Sequence, residues 1–311
     1  MSNKNSQGGV RIETVDRHHD GQRIDNFLSA RLKGLPRSLV YRLIRTGQVR
    51  INGGRCKPAT RIAEGDQVRI PPARVREGEE AVISDRTLQQ VRACILHRDE
   101  ELMVIDKPSG MAVHGGSGLP WGLIDVLRRL FPGEFLELVH RLDRETSGCL
   151  VLARSGAALD WLSAQFRDGQ VDKRYLCLMD GVLPEAVLDV EAPLARVQAG
   201  KERKVVVDAG GKPARTRFRL LEGYRRASYA EAELFTGRTH QIRVHARHIG
   251  LPLAGDQKYS DKASLKRWRS LGLKRLFLHA HSVGFEFPQG RAMQFTAPLP
   301  DGLRELLGAL E

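Results

Sequence analysis

Cysteine is scarce in this chain, and long apolar runs are missing. The four cysteines among its 311 residues, Cys56, Cys94, Cys149 and Cys177, are widely separated and form no CxxC pair. This spacing excludes the usual zinc patterns and a disulfide framework, so reduced thiols are the simplest interpretation. No apolar stretch approaches the roughly 20 residues that cross a bilayer, and the polar N-terminal segment has no apolar signal core. We therefore expect a cytoplasmic protein that does not bind membranes.

Acidic residues are also few relative to basic ones. The chain has 50 Lys and Arg against 37 Asp and Glu, a formal net charge of +13 and a pI of about 10.0. Between Arg23 and Arg76, thirteen basic residues accompany only three acidic ones, so this segment carries most of the excess. The excess indicates a polyanionic partner, either nucleic acid or a membrane surface, and a basic segment on a nearly neutral body is typical of an attached binding module. A solvated, Lys/Arg-rich surface would have the same composition.

The distribution of apolar residues predicts two domains. We expect a disordered tail over residues 1–19, a small domain over 20–82, a linker over 83–90 and a large domain over 91–311. Helical spacing and short alternating runs predict two helices followed by strands in the small domain. The large domain mixes predicted strands (102–105, 149–153, 175–179, 216–221, 230–234 and 294–295) with predicted helices (122–131 and 157–166). No regular βαβ repeat is visible, which indicates the α+β class with a mixed sheet.

Two stretches of the large domain are dense in polar residues, which are costly to bury without a purpose. The first is HRLDRETSG at 140–148, directly before a predicted buried strand, and the second is GRTHQIRVH at 237–245. An aspartate beside arginines is weak evidence by itself, because most such pairs are surface ion pairs worth less than about 1 kcal/mol.

HRLDRETSG resembles the signature of the large-subunit ribosomal pseudouridine synthases, in which its aspartate is the catalytic group. Three further segments are similar in the expected order: DKPSGMAVHGG (106–116), KRYLCL (173–178), and TGRTHQIRVH (236–245) with GLPLAGDQKY (250–259). Residues 21–72 resemble an S4-type RNA-binding domain. The resemblance implies that this domain precedes a catalytic domain with a mixed, largely antiparallel central sheet flanked by helices and loops. Glu145 departs from the family pattern, which usually has Asp there, but it keeps the charge.

The resemblance implies isomerisation of uridine to pseudouridine in 23S ribosomal RNA, at several uridines. Asp143 is the expected catalytic residue, either as a nucleophile at C1′ or as a base toward a sugar proton. Arg243 is expected beside it, where a guanidinium favours the charged carboxylate. Tyr175 is expected to stack on the uracil and to take part in removing the C5 proton. Ile242 is expected to pack against the base, although both could be ordinary core residues.

The remaining expected roles concern RNA. Arg141 is expected to fill the space that the flipped base leaves, and a phosphate contact alone is the alternative. Five residues of the small domain are expected to bind phosphates, which position RNA without reading its sequence: Arg37, Arg42, Arg45, Arg50 and Lys57.

No cofactor is expected, because the rearrangement is redox-neutral. No metal is expected either. Of the histidines at 140, 240, 245 and 248, the last two have no carboxylate or cysteine at ligand spacing, and the resemblance implies a family that needs no metal. The expected partner is 23S rRNA or the assembling large ribosomal subunit, bound by a monomer. Two other functions fit parts of the pattern. One is a non-catalytic assembly factor that keeps the fold as a scaffold. The other is a metal-dependent nucleic-acid hydrolase, for which clustered acids are missing around Asp143 except for Glu145.

Overall fold

The computed structural model describes residues 9–32, 35, 37–72, 83–115, 119–199, 202–288 and 290–310. The elements in chain order are β1 (Arg11–Thr14), α1 (Ile24–Arg31), α2 (Arg37–Arg45), β2 (Arg50–Ile51), β3 (Gly54–Arg55), β4 (Gln67–Ile70), α3 (Asp85–Ala93), β5 (Ile95–Arg98), β6 (Leu102–Lys107), α4 (Leu123–Leu130), β7 (Glu137–Leu138), β8 (Ser147–Ala153), α5 (Gly156–Asp168), β9 (Asp172–Met179), β10 (Val187–Glu191), β11 (Leu194–Ala199), β12 (Glu202–Val207), β13 (Arg215–Tyr224), β14 (Ala227–Leu234), α6 (Gln241–His248), α7 (Lys262–Ser270), β15 (Leu278–Glu286), β16 (Ala292–Thr296) and α8 (Asp301–Gly308).

The small domain packs α1 and α2 on a four-stranded antiparallel sheet of order β1-β4-β2-β3. The helical spacing in the sequence produces its core, because apolar residues three and four apart lie on one helix face. Ile24, Phe27 and Leu28 of α1 cluster with Val40 and Ile44 of α2, and all five are at most 1% exposed. The two predicted helices and the strands that follow them are confirmed.

Two expected segments differ from the structure. Residues 11–14 belong to the expected disordered tail, yet they form β1, which pairs with β4 along its whole length and is followed by the buried Val15. Residues 85–90 of the expected linker belong to α3, which is capped by Ser84 and places Val91 in the core of the large domain. Residues 1–8 of the tail and 73–82 lie outside the described residues, so the domain limits stay predictions.

The large domain is built on a ten-stranded sheet. Its strand order is β10-β13-β14-β9-β15-β8-β6-β5, with β16 beside β15 and β7 beside β8. The described pairings are antiparallel except that of β8 with β15, which is parallel. The predicted α+β fold with a mixed, largely antiparallel sheet is confirmed. In the described ranges, none of the helices combines the length and apolar composition needed to span a membrane.

Helices cover both faces of the sheet centre. In β6, Leu102 and Val104 pack on the side of α5, whereas Met103 and Ile105 pack on the side of α3 and α4. A strand buried on both faces shows a continuous apolar run instead of alternation, which explains the sequence LMVI. Helix α6 places Ile242 in the cluster formed by β9, β13 and β14. The sequence did not predict α6, because arginines and histidines interrupt its apolar spacing.

His279 lies at the centre of this sheet and is 0% exposed. Its Nε2 donates to the carbonyl oxygen of Ala297 (3.2 Å), and its Nδ1 accepts from the hydroxyl of Ser147 (2.9 Å). Burial lowers the pKa of His279 to about 4. Both ring nitrogens therefore have partners that suit the neutral ring.

Acidification should destabilise the fold through this histidine. Between about pH 6.5 and about pH 4 the unfolded chain binds a proton at His279 that the folded chain does not bind, so the free energy of unfolding should fall over that window. Urea denaturation at several pH values measures it. His279→Asn should show a shallower pH dependence. Equal slopes in the two proteins would contradict this account.

Candidate active site

Asp143 lies in the loop between β7 and β8, and a buried lysine holds this loop. Lys107 ends β6 and is 0% exposed. Its ammonium group donates three hydrogen bonds, to the carbonyl oxygens of Pro108 (2.9 Å), Met111 (2.8 Å) and Arg144 (3.1 Å). Burial lowers the pKa of Lys107 to about 7. The three bonds use all the donors of an ammonium group and tie the DKPSG turn to the loop that carries Asp143.

Gly148, at the end of the same motif, allows β8 to approach β15 closely. Its φ is 106°, and a Cβ there would lie 2.2 Å from the carbonyl oxygen of Ala280. Ala280 pairs with Gly148 on β8 and with Tyr175 on β9, so the three residues form a row across adjacent strands. This row brings Tyr175 to the Asp143 loop. Burial, and then the negative charge of Asp143, raise the pKa of Tyr175.

Arg243 projects from α6 and joins two carboxylates. Its Nη1 donates to Oδ2 of Asp143 (3.3 Å), while Nε and Nη2 donate to Oδ2 and Oδ1 of Asp256, both at 2.8 Å. The structure thus brings the predicted pair, Asp143 and Arg243, into contact. Burial alone would lower the pKa of Arg243, but the hydrogen bonds and charge of Asp256, together with Asp143, raise it. The guanidinium therefore remains charged.

Asp256 is the residue of this site that the sequence analysis missed. Its side chain is 0% exposed. Besides the two bonds from Arg243, it accepts from the backbone N–H groups of Lys258 (2.9 Å) and Tyr259 (3.1 Å). A buried carboxylate is tolerated only when it is paired and hydrogen-bonded in this way. Its sequence signal, one aspartate in GLPLAGDQKY, is too weak to assign a partner.

His240 provides a second nitrogen near the carboxylate. Its Nε2 lies 3.8 Å from Oδ2 of Asp143, and its Nδ1 lies 2.7 Å from the hydroxyl of Tyr259. Burial lowers the pKa of His240 and outweighs the opposing effect of Asp143. Among the described residues, none hydrogen-bonds Oδ1 of Asp143, whose side chain is 21% exposed. One carboxylate oxygen is therefore held, and the other is left for a ligand.

The other predicted residues of the large domain lie in different environments. Tyr175 is half-buried between two apolar clusters. Ile242 is 4% exposed and belongs to one of them, so its contact with a base stays a prediction. Arg141 is exposed, and no described residue pairs with its guanidinium. His245 is fully buried between Thr216 and the carbonyl of Ala192, which fits a structural role.

The predicted basic residues of the small domain lie on and after α2. Arg42, Arg45 and Lys57 are exposed, and Arg50 is half-buried. Arg37 begins α2, but its side chain lies outside the described part of the structure. Arg42, Arg45 and Lys57 are therefore accessible to phosphates on the surface of the small domain.

Two further arginines extend this set and were missed by the sequence analysis. Arg50 pairs across the sheet with Arg55 on β3 and with Arg69 on β4, so three guanidinium-bearing residues form a row on adjacent strands. Like charges directly opposite each other destabilise a sheet, and a polyanion would relieve that repulsion. We name Arg50, Arg55 and Arg69 the arginine row.

Comparison with known proteins finds a matching family for each of the two domains. The family described as RNA pseudouridylate synthase matches residues 101–248, and the S4 domain matches residues 22–68. The chain is 48% identical to ribosomal large subunit pseudouridine synthase C of Pasteurella multocida (strain Pm70) over 306 residues, which cover 97% of this chain and 94% of that protein. It is also 48% identical to the protein of the same name from Yersinia pestis, over 97% of this chain and 96% of that one.

A solved structure gives the same result for the large domain. Human RNA Pseudouridylate Synthase Domain Containing 4 is 28% identical with a TM-score of 0.61, and the match covers 72% of this chain and 95% of that one. This structural match and the sequence identity over nearly the whole chain identify the same family. The chain belongs to the RNA pseudouridylate synthase family and carries an S4 domain before its catalytic domain.

Proposed function

We propose that this protein isomerises uridine to pseudouridine in 23S rRNA, at several uridines, with Asp143 as the essential carboxylate. The contact between Asp143 and Arg243, which are 100 residues apart in the chain, supports this most directly. The relatives that are 48% identical are named as ribosomal large subunit pseudouridine synthases. The family and the site geometry therefore favour the same activity.

The proposed reaction balances without an electron donor. The bond between C1′ and N1 breaks, the uracil rotates, and a bond forms between C5 and C1′. C5 loses a proton and N1 gains one. Asp143 serves either as the nucleophile at C1′ or as the base toward a sugar proton. In both cases Oδ1 is the reacting oxygen, because Oδ2 is engaged by Arg243.

Tyr175 and Ile242 are proposed to hold the uracil. The raised pKa of Tyr175 keeps its hydroxyl protonated near neutral pH, so the hydroxyl relays the C5 proton and does not act as a phenolate base. The ring offers a stacking surface for the uracil. Ile242 packs in the cluster beside it. Arg141 is exposed, and in our proposal its planar guanidinium occupies the stack that the flipped uridine leaves.

The S4 domain is proposed to supply most of the affinity. Its exposed arginines and the arginine row suit phosphate oxygens, and the choice of uridine then depends on RNA shape. We propose that a monomer acts in the cytoplasm on 23S rRNA or on the assembling large subunit. All four cysteines are free thiols, which suits a reducing compartment.

Asp143→Asn should abolish isomerisation and leave RNA affinity within about twofold, because phosphate contacts elsewhere supply most of the binding. Carbodiimide treatment and primer extension on rRNA from cells that lack the gene and carry the variant measure the product. Filter binding measures affinity. Glu145→Gln, an exposed carboxylate two residues away, is the control and should stay active. Pseudouridine at normal levels with Asp143→Asn would refute the proposal.

Asp256→Asn should lower kcat on the order of a hundredfold with little change in KM, because the guanidinium of Arg243 loses the partner that aims it at Asp143. Removing one partner of a buried pair should also lower the free energy of unfolding by about 3–5 kcal/mol. Steady-state kinetics on the folded variant and urea denaturation measure the two effects. Asp172→Asn removes an exposed partner of Arg174 and should cost less than about 1 kcal/mol. An unchanged kcat for Asp256→Asn would show that Arg243 orients Asp143 without it.

Combining Arg42→Ala with Arg45→Ala should weaken rRNA binding. The slope of the logarithm of the association constant against the logarithm of the salt concentration should become less steep by about 0.7–0.9 for each lost phosphate contact. The rate at saturating RNA should not change. Titrations at several salt concentrations measure this. Lys262→Ala combined with Lys266→Ala removes the same charge from exposed positions of α7. If that control weakened binding equally, the S4 domain would have no special part in it.

A further inference from the structure

A cleft of about 510 Å³ lies between the S4 domain and the catalytic domain. One wall comes from the start of α1, from α2 and from the segment before β4. The other comes from α4, β7 and the loop that follows β7. Its charged lining consists of four arginines and two carboxylates: Arg23, Arg61, Arg128, Arg141, Asp25 and Glu137.

Glu137 fixes the two walls relative to each other. It is 5% exposed on β7 and accepts from the side chains of Gln22 (3.0 Å) and Asn26 (2.6 Å), both of the S4 domain. Arg128 of α4 donates to the same carboxylate at 3.1 Å. If the domains separated, the buried carboxylate would lose the two donors of the S4 domain, Gln22 and Asn26, which is costly. The cleft is therefore built from both domains in a defined arrangement.

Two further contacts hold the S4 domain in place. Arg61 forms an ion pair with Asp160 of α5 at 3.1 Å. Gly156, at the start of α5, lies so close to the S4 domain that a Cβ there would be 2.4 Å from the carbonyl oxygen of Asp20. Backbone meets backbone at this point, and the contact leaves no room for a side chain.

The lining favours an anion. Four arginines and two carboxylates line the cleft, and Asp160 pairs with one of these arginines from outside the lining, which leaves an excess of one positive charge. Asp25 already accepts two bonds from Arg23 (3.1 and 2.8 Å) and one from the hydroxyl of Tyr41 (3.0 Å). Among the described residues, none pairs with the guanidinium of Arg141. Both carboxylates are thus paired within the walls, and among the described residues the charge of the lining that remains without a partner is the guanidinium of Arg141.

The shape and the rings of the cleft indicate what kind of anion it fits. Its volume lies in the range of small-molecule sites, about 300–1,000 Å³, which suits one or two nucleotides and excludes a duplex. Tyr41 lines it from the S4 domain and His114 from the catalytic domain. Aromatic rings interleaved with arginines are typical of sites for unpaired nucleotides, whose bases stack on the rings.

We propose that this cleft binds an unpaired nucleotide of the substrate RNA that neighbours the target uridine; this inference rests on the proposed function. Arg141 lines the cleft and precedes Asp143 by two residues, so a strand that leaves the cleft past Arg141 arrives at the reacting carboxylate. Arg23 and Arg61 contact the phosphates, and the base stacks on Tyr41. The S4 domain is then a wall of the substrate site as well as a phosphate anchor.

The test measures binding of a fluorescent single-stranded oligouridylate of about five nucleotides to the full-length protein by anisotropy. Tyr41→Ala should weaken binding at least roughly fivefold, as expected for a lost stacking contact. Tyr41→Phe loses the same hydrogen bond to Asp25 but keeps the ring, so it should bind like the wild type. Arg61→Ala should also weaken binding, whereas Arg225→Ala, an exposed arginine of the β13–β14 turn, should not.

Two results would contradict the binding of an unpaired nucleotide in the cleft. One is unchanged affinity in a folded Tyr41→Ala protein, and the other is equal competition by a duplex of the same length. Asp143→Asn should bind the oligonucleotide normally, which separates this test from catalysis. If the wild type formed no pseudouridine in 23S rRNA while Tyr41→Ala still lost binding, the proposed function would fail and the nucleotide site would stand. If isomerisation occurred but Tyr41→Ala bound the oligonucleotide normally, the nucleotide site in the cleft would be wrong and the proposed function would stand.

Discussion

The guanidinium of Arg243 binds two carboxylates at once, and the site depends on this shared ion pair. Asp256 is fully buried and takes two of its N–H groups, while Asp143 takes one from the remaining nitrogen. Because an unpaired buried charge is so costly, Arg243 cannot leave Asp256 without destabilising the fold. Its third nitrogen is thereby directed at Asp143. The same interaction that satisfies a buried charge also orients Asp143, which we propose as the reacting group, so in that proposal fold stability and chemistry are coupled.

The sequence predicted those parts of the site that lie in long, dense motifs. Asp143 and Arg243 could be paired only because HRLDRETSG and TGRTHQIRVH resemble segments of one family. Asp256 has no such signal, since its importance comes from a helix residue that reaches it in space. The strand Arg11–Thr14 was missed for a related reason: its one apolar residue, Ile12, is exposed, so no buried face marks the strand, and pairing with β4 orders it. Tertiary partners decide both cases, and a single sequence does not display them.

The arginine row places like charges next to each other in the S4 domain. Arg50, Arg55 and Arg69 stand side by side on three strands, a repulsive arrangement by itself. Arg50 donates to the carbonyls of Gly47 (3.3 Å) and Gly53 (3.0 Å), and Arg69 to that of Gln48 (2.7 Å). These bonds hold the guanidinium groups in place without neutralising them. In our proposal, the phosphate groups of bound RNA offset this repulsion.

The contact between the domains fixes the orientation of the S4 domain relative to the catalytic domain. A domain on a flexible tether would raise the local concentration of RNA but leave its direction open. Here Glu137 accepts from Gln22 and Asn26, and Arg61 reaches Asp160, so the domain is held in one orientation. Polar networks of this kind add little net stability compared with apolar contacts, because desolvation offsets their attraction. Their donors and acceptors match in only one register, however. In our proposal, the polar interface therefore sets the direction in which an RNA strand bound to the S4 domain approaches the Asp143 loop.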